Sequence, residues 1–93
     1  MEKIDLNTGQ FIFKAGEKSD KVFLLLEGEV GIFLPTNDTQ QPNHKIQENE
    51  IFGETSLLLD ATRSVSVVAG GGGATARKIP KNYFVYFVSN QKR

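Results

Sequence analysis

Short apolar runs, each ended by turn-forming residues, are the feature that most constrains this chain. Segments 10–14 and 62–69 alternate apolar with polar residues, which is the period of a half-buried β-strand. Segment 22–26 is a continuous apolar run, which favours a short strand buried on both faces over a helix. In a chain of 93 residues, this pattern predicts one domain, residues 1–93, built mainly of antiparallel strands as a jelly roll or sandwich.

Glycine and proline punctuate these runs and carry further expectations. Gly28 lies between two acidic residues and predicts a reversal at 27–29 that joins two strands in a hairpin. The four glycines at 70–73 predict a flexible loop. Pro80 suits the first position of a helix, and aromatic and aliphatic residues crowd the segment after it, so we expect a terminal helix over 81–90.

Composition excludes several classes of function. Eleven basic and eleven acidic residues cancel, so nothing in the composition indicates the basic face that nucleic-acid binding requires, and no nucleic-acid partner is expected. There is no cysteine for disulfide or thiolate chemistry, and the single histidine, His44, is expected in a loop and is too few for an imidazole metal site. The sequence has neither a membrane-spanning run nor a signal peptide, so we expect a cytoplasmic protein without a metal or membrane contact.

Residues 52–67 carry the strongest indication of function, because a glycine and an acid stand ahead of an arginine with apolar residues between them. Residues 54–59 are expected to form a short helix, whose first N–H groups and positive dipole end favour an anion. Arg63 can donate two parallel hydrogen bonds to phosphate oxygens. The candidate ligand-binding residues are Gly53, Glu54, Thr55, Ser56, Arg63 and Ser64.

Glu54 is an unusual neighbour for an anion, because like charges repel. Its carboxylate makes chemical sense if it accepts a hydrogen bond from a hydroxyl of the same ligand while Arg63 compensates the anion. A sugar 2′-OH next to a cyclic phosphate meets that description. The simpler alternative is a structural ion pair between Glu54 and Arg63 near the surface, which would contribute little stability.

The whole pattern resembles the cyclic nucleotide-binding domain family. Phe52-Gly53-Glu54 followed by Arg63-Ser64-Val65-Ser66-Val67 is similar to that family's phosphate-binding cassette, and segments 15–30 and 77–84 resemble its flanking parts. The resemblance implies an antiparallel double-stranded β-helix, or jelly roll, with a short cassette helix and one C-terminal helix. It also implies that Glu54 binds the ribose 2′-OH and Arg63 the cyclic phosphate of cAMP or cGMP, with no other cofactor.

Members of this family are regulatory modules and not enzymes, so the resemblance implies a sensor domain in signalling. Thr62 stands where many members have proline, and Ser64 leaves the choice between cAMP and cGMP undecided. The chain ends where the family's lid helix would begin. We therefore expect micromolar or weaker binding with little discrimination between the two nucleotides.

Two other classes of function stay open. A degenerate family member would keep the fold and act as a structural or protein-interaction module without a ligand. In either case the aromatic helix 81–90 is a candidate contact with a second copy or a partner chain. A metal-dependent enzyme on a similar jelly roll would need several metal-ligating histidines, whereas this chain has only His44.

Overall fold

The computed structural model describes residues 2–55 and 61–89, with side chains described up to residue 86. Within these ranges the chain forms six strands, all paired antiparallel, and a helix near the C-terminal end, and Glu54 and Thr55 are also helical. The elements are β1 (Lys3–Leu6), β2 (Phe11–Phe13), β3 (Lys21–Phe33), β4 (His44–Ile46), β5 (Ile51–Phe52), β6 (Ser66–Pro80) and α1 (Lys81–Ser89). The mainly β, antiparallel architecture predicted from the sequence is confirmed.

A long antiparallel ribbon of β3 and β6 carries the other strands. Its pairing runs from Lys21 opposite Pro80 at one end to Phe33 opposite Ser66 at the other. Strands β1 and β2 pair with β6, while β5 and β4 pair with β3, so each edge strand covers one part of the ribbon. All six strands contribute to one buried cluster, so the ribbon winds around a common apolar interior.

Gly28 bends β3 without reversing it, so the hairpin predicted at 27–29 is wrong. The strand passes through Gly28 at a φ of +87°, and Gly73 on β6 meets it there at a φ of +78°. Between the pairs Gly28–Ala74 and Val30–Ala69, β3 contributes only residue 29 whereas β6 contributes residues 70–73. The glycine run is therefore a wide bulge inside β6 rather than the separate loop that we predicted, and the two strands bend together at this corner.

The ribbon is buried on both faces at the end that meets α1. Phe23 and Leu25 point into the main core, whereas Val22 lies on the opposite face against Phe84 of α1 and Ile79. Val22 is thus buried on the second face, as predicted, whereas Leu24 and Leu26, which follow it at alternate positions, are half-buried. The predicted terminal helix is confirmed over 81–89, and residue 90 lies outside the described residues.

Alanine substitutions at three successive glycines should separate backbone strain from steric clash. A Cβ at Gly71 would meet open space. A Cβ at Gly72 would also meet open space, but the φ of +86° there would strain any residue with a side chain. A Cβ at Gly73 would lie 2.5 Å from the carbonyl oxygen of Leu6 and would clash with it. We expect Gly71→Ala to leave the free energy of unfolding unchanged or to raise it by up to ~1 kcal/mol. Gly72→Ala should lower it by about 1–2 kcal/mol, and Gly73→Ala should lower it further. Urea denaturation measures the order, and equal effects at the three positions would contradict the bulge geometry.

Candidate functional site

A cavity of about 350 Å³ opens between segment 52–55, residues 63–65 and the inner faces of β3, β4 and β6. This volume is within the range of small-molecule sites in proteins. Its apolar wall comprises Phe13, Ile32, Ile46, Ile51, Phe52, Val65 and Val67. Its polar groups come from His44, Glu50, Gly53, Glu54, Thr55, Arg63 and Ser64.

The structure brings five of the six predicted site residues to this cavity. They are Gly53, Glu54, Thr55, Arg63 and Ser64, whereas Ser56 lies outside the described residues. Glu54 and Thr55 are helical, as predicted for the start of the cassette helix, and the remainder of 54–59 also lies outside the described residues. Segments 53–55 and 63–64, which are separated in the sequence, therefore both line the cavity.

Arg63 is the one charged residue that is buried in the described part of the chain, with 4% of its surface exposed. Its Nη1 donates a hydrogen bond of 2.6 Å to the carbonyl oxygen of Gly53, and its Nη2 donates one of 2.7 Å to the carbonyl oxygen of Lys21. A guanidinium holds its N–H groups in one plane. The two carbonyl oxygens therefore fix the direction in which this plane meets the cavity.

Burial and charge act in opposite directions on Arg63. Desolvation lowers the pKa of its guanidinium below the ordinary arginine value, while the negative charges of Asp20 and Glu17 raise it again. Because the ordinary pKa of arginine is far above neutrality, the group stays cationic at physiological pH. The cavity therefore has a permanent positive charge in its wall.

The turn before β3 holds the backbone of Arg63. The N–H of Arg63 donates to the carbonyl of Glu17 at 2.8 Å, and the N–H of Gly16 donates to the carbonyl of Arg63 at 2.8 Å. This turn also brings in Asp20, so the acidic neighbours of the arginine come from segment 17–20. Among residues 2–55 and 61–89, the ion pairs are Lys21–Asp20, Lys45–Glu29 and Lys78–Glu2. A direct Glu54–Arg63 pair is not among them, so the geometry does not support the purely structural role considered for those two residues.

Position 53 requires a glycine. Its φ is +86°, and a Cβ built there would lie 2.9 Å from Nη1 of Arg63 and 3.3 Å from a ring carbon of Phe13. A side chain would therefore strain the backbone and displace the guanidinium at the same time. The absence of a side chain at Gly53 thus lets its carbonyl oxygen approach the guanidinium of Arg63.

Nine of the residues that line the cavity were not predicted as site residues, and His44 and Phe13 are two of them. His44 was expected in a loop, but it is the first residue of β4 and lines the cavity together with Ile46, its neighbour on the same strand face. Alternation along β4 would have indicated this placement. Phe13 lies with its ring centroid 3.9 Å from Cζ of Arg63. A bulge in β2, which the sequence does not reveal, turns that ring inward.

A second cavity, of about 450 Å³, lies on the outer face of the same strands. Gly31, Lys45 and Val68 line it, while their strand neighbours Ile32 and Val67 line the first cavity, so one layer of sheet separates the two. No buried charged residue from the described part of the chain lines the outer cavity. The cavity at Arg63 is therefore the candidate site.

The described residues contain neither a metal-ligating cluster nor a membrane-spanning helix. Within residues 2–55 and 61–89, no group of three or more His, Cys, Asp or Glu residues is arranged to hold a metal ion. No helix in these ranges is long and apolar enough to cross a membrane.

The fold is a jelly-roll domain with a buried cation in the wall of a cavity, and sequence comparison gives its family. The family model for the cyclic nucleotide-binding domain matches residues 3–91, so the chain belongs to this family. A cAMP-dependent protein kinase regulatory subunit from Mucor circinelloides f. lusitanicus is 32% identical over 71 residues, which cover 76% of this chain and 17% of that protein. Human cGMP-dependent protein kinase 2 is 33% identical over 63 residues, which cover 66% of this chain and 8% of that protein. The chain thus spans only a small part of the length of these relatives.

Solved structures confirm the predicted jelly roll with its C-terminal helix. The EAL enzyme Bd1971, in a form bound to cAMP and cyclic-di-GMP, has a TM-score of 0.84 and 28% identity, covering 100% of this chain and 24% of that one. The catabolite activator protein of Thermus thermophilus has a TM-score of 0.81 and 23% identity, covering 97% and 42%. A regulatory subunit of a cAMP-independent protein kinase A from Trypanosoma brucei has a TM-score of 0.79 and 18% identity, covering 98% and 35%. At this identity, the last two show the fold alone.

Removing the Arg63 side chain should destabilise the fold as well as alter the cavity. Arg63→Ala leaves the carbonyl oxygens of Gly53 and Lys21 without these donors, so we expect the free energy of unfolding to fall by about 1–3 kcal/mol. Lys3→Ala, at an exposed position on β1, is the control and should change it by less than about 0.5 kcal/mol. Urea denaturation of both variants measures the change in the free energy of unfolding. An equally small change in Arg63→Ala and in Lys3→Ala would show that the hydrogen bonds of Arg63 to Gly53 and Lys21 do not stabilise the fold.

Proposed function

We propose that this domain is a small-molecule-sensing regulatory module, without catalytic activity, that binds cAMP or cGMP through the phosphate and the ribose. The observation that carries the proposal is the position of Arg63: a buried cation in the wall of a cavity of about 350 Å³, beside Gly53 and Glu54. Family membership and the cAMP- and cGMP-dependent kinases among the relatives support the same ligand class.

In this proposal the cyclic phosphate lies against the guanidinium of Arg63. A guanidinium is planar and can donate two parallel hydrogen bonds to phosphate oxygens. The backbone N–H groups of Thr55 and Ser56, in the segment predicted to start the cassette helix, and the hydroxyl of Ser64 would complete the anion site. Burial strengthens the attraction, because fewer water molecules screen the charge.

Glu54 has the complementary role of binding the ribose. Its half-buried carboxylate lines the cavity and would accept a hydrogen bond from the 2′-OH. The phosphate and the 2′-OH are common to cAMP and cGMP. The contacts with Arg63 and Glu54 therefore give affinity for both nucleotides and do not choose between their bases.

Titration calorimetry with cAMP and cGMP tests the proposal. The native protein should bind both, and Arg63→Ala should weaken each by about 2–5 kcal/mol, because the anion loses its compensating charge. Glu27→Gln, at an exposed position on β3, is the control and should bind as the native protein does. The absence of binding heat for both nucleotides on the folded native protein would reject the function.

A ligand variant isolates the role of Glu54. With the native protein, 2′-deoxy-cAMP should bind more weakly than cAMP by about 1.5–3 kcal/mol, the range for a hydrogen bond to a charged group. With Glu54→Ala the two ligands should bind alike, since the acceptor of the 2′-OH is gone. An undiminished preference for cAMP in Glu54→Ala would assign the ribose to another residue.

We propose, as the second candidate, a structural or protein-interaction module that uses the exposed face of α1. Tyr83, Val85 and Tyr86 on this helix are 57%, 40% and 70% exposed, and exposed aromatic residues that are close together often mark protein contacts.

Sedimentation analysis distinguishes a second copy from other partners of α1. If the partner is a second copy, the native protein should dimerise with rising concentration, and the double variant Tyr83→Ser, Tyr86→Ser should stay monomeric. Phe11→Ser, which removes an aromatic residue that is 46% exposed on β2, is the control and should dimerise normally. A native protein that is monomeric throughout would exclude the homodimer.

A further inference from the structure

The ring of Phe13 supports the guanidinium of Arg63 from one side. Cζ of Arg63 lies 3.9 Å from the ring centroid, well within the distance of a cation–π contact. Both residues are buried, with 6% and 4% of their surface exposed. Such contacts are strongest where water is excluded, so this ring is a substantial interaction of the guanidinium at the cavity.

A bulge in β2 places Phe13 there. Phe11 and Phe13 are two residues apart, and regular alternation would put them on the same face. The register shifts between them, because Phe11 pairs with the outward Val68 whereas Phe13 pairs with the inward Val67. Phe11 is consequently 46% exposed while Phe13 is buried. Bulges often re-aim a side chain in this way beside functional sites.

Phe13 is itself fixed by an aromatic cluster. Its centroid lies 6.0 Å from that of Phe23, which in turn stacks on Phe52 at 5.4 Å with an interplanar angle of 17°. Phe52 directly precedes Gly53, whose carbonyl accepts the bond from Nη1 of Arg63. One rigid set of rings therefore supports the guanidinium and the backbone group to which it is bonded.

The contacts together fix the guanidinium in three dimensions. The carbonyl oxygens of Gly53 and Lys21 fix its orientation within its plane, and the ring of Phe13 fixes the tilt of that plane. We propose that Phe13 is a positioning residue for anion recognition, holding the Arg63 guanidinium in the orientation from which it meets the phosphate of the ligand. This inference depends on the proposed binding of cyclic nucleotides.

Fluorination of the ring tests the proposal without changing the packing greatly. Replacing Phe13 by 3,4,5-trifluorophenylalanine withdraws electron density from the face of the ring and weakens its attraction for a cation. We expect cAMP to bind about tenfold more weakly, roughly the factor by which ordering one long side chain on binding reduces affinity. The same replacement at Phe11, which is 46% exposed on β2 and does not line the cavity, is the control and should leave the affinity unchanged.

A double variant shows whether the effect passes through the arginine. In an Arg63→Gln background, which keeps a planar side chain but removes the cation, fluorination at Phe13 should have no further effect on cAMP binding. An equal penalty in both backgrounds would mean that the ring contacts the ligand directly, and would overturn the positioning role. An unchanged affinity on fluorination of Phe13 in the native background would also overturn it.

Arginine NMR separates this proposal from the proposed function. The exchange rate of the Nη groups of Arg63, measured on labelled protein without nucleotide, should rise in Phe13→Leu and stay constant in Phe11→Leu, since Phe11 is exposed and outside the cluster. If the native protein binds neither cAMP nor cGMP, the proposed function fails, and a raised exchange rate in Phe13→Leu alone would still support the positioning of Arg63. Equal rates in the native protein and in Phe13→Leu would overturn that positioning whatever the calorimetry shows.

Discussion

The pairing of β3 with β6 is the constraint on which the rest of the structure depends. These two strands of 13 and 15 residues run side by side, and every other strand in the described ranges pairs with one of them. A ribbon of this length can enclose a core only if both of its strands bend at the same place. Gly28 and Gly73 make that bend, because both take a positive φ and a Cβ at Gly28 would collide with the carbonyl of Gly73.

The winding of this ribbon brings together the parts of the cavity. It places the inner faces of β3, β4 and β6 opposite segment 52–55, while the turn before β3 reaches the backbone of Arg63. Burying a cation is costly unless hydrogen bonds replace its water. Here the carbonyls of Gly53 and Lys21 and the ring of Phe13 take the place of part of that water, so the charge is kept in a cavity wall that it would otherwise avoid.

The sequence predicted which residues line this cavity better than it predicted how they are positioned. The candidate residues at Gly53, Glu54 and Arg63 follow from charge and spacing, and the structure brings them to one cavity. Gly28 was predicted to form a hairpin turn, but a glycine with a positive φ is equally suited to a bend within a strand. The position of Gly73 on the partner strand β6 shows that Gly28 forms a bend. Phe13 could not be found from alternation, because a bulge is a property of strand pairing and has no local signal in β2.

Arg63 also lies close to the contact that attaches α1. Its Nη2 is bonded to the carbonyl of Lys21, and the next residue, Val22, packs against Phe84 of the helix. Spatial closeness alone does not establish energetic coupling. It does mean that a ligand which shifted the guanidinium would disturb the backbone one residue away from the helix contact. Lys21, the first residue of β3, is bonded to Arg63, and Val22, the second, packs against the helix. The path from the cavity to the terminal helix is therefore two residues long.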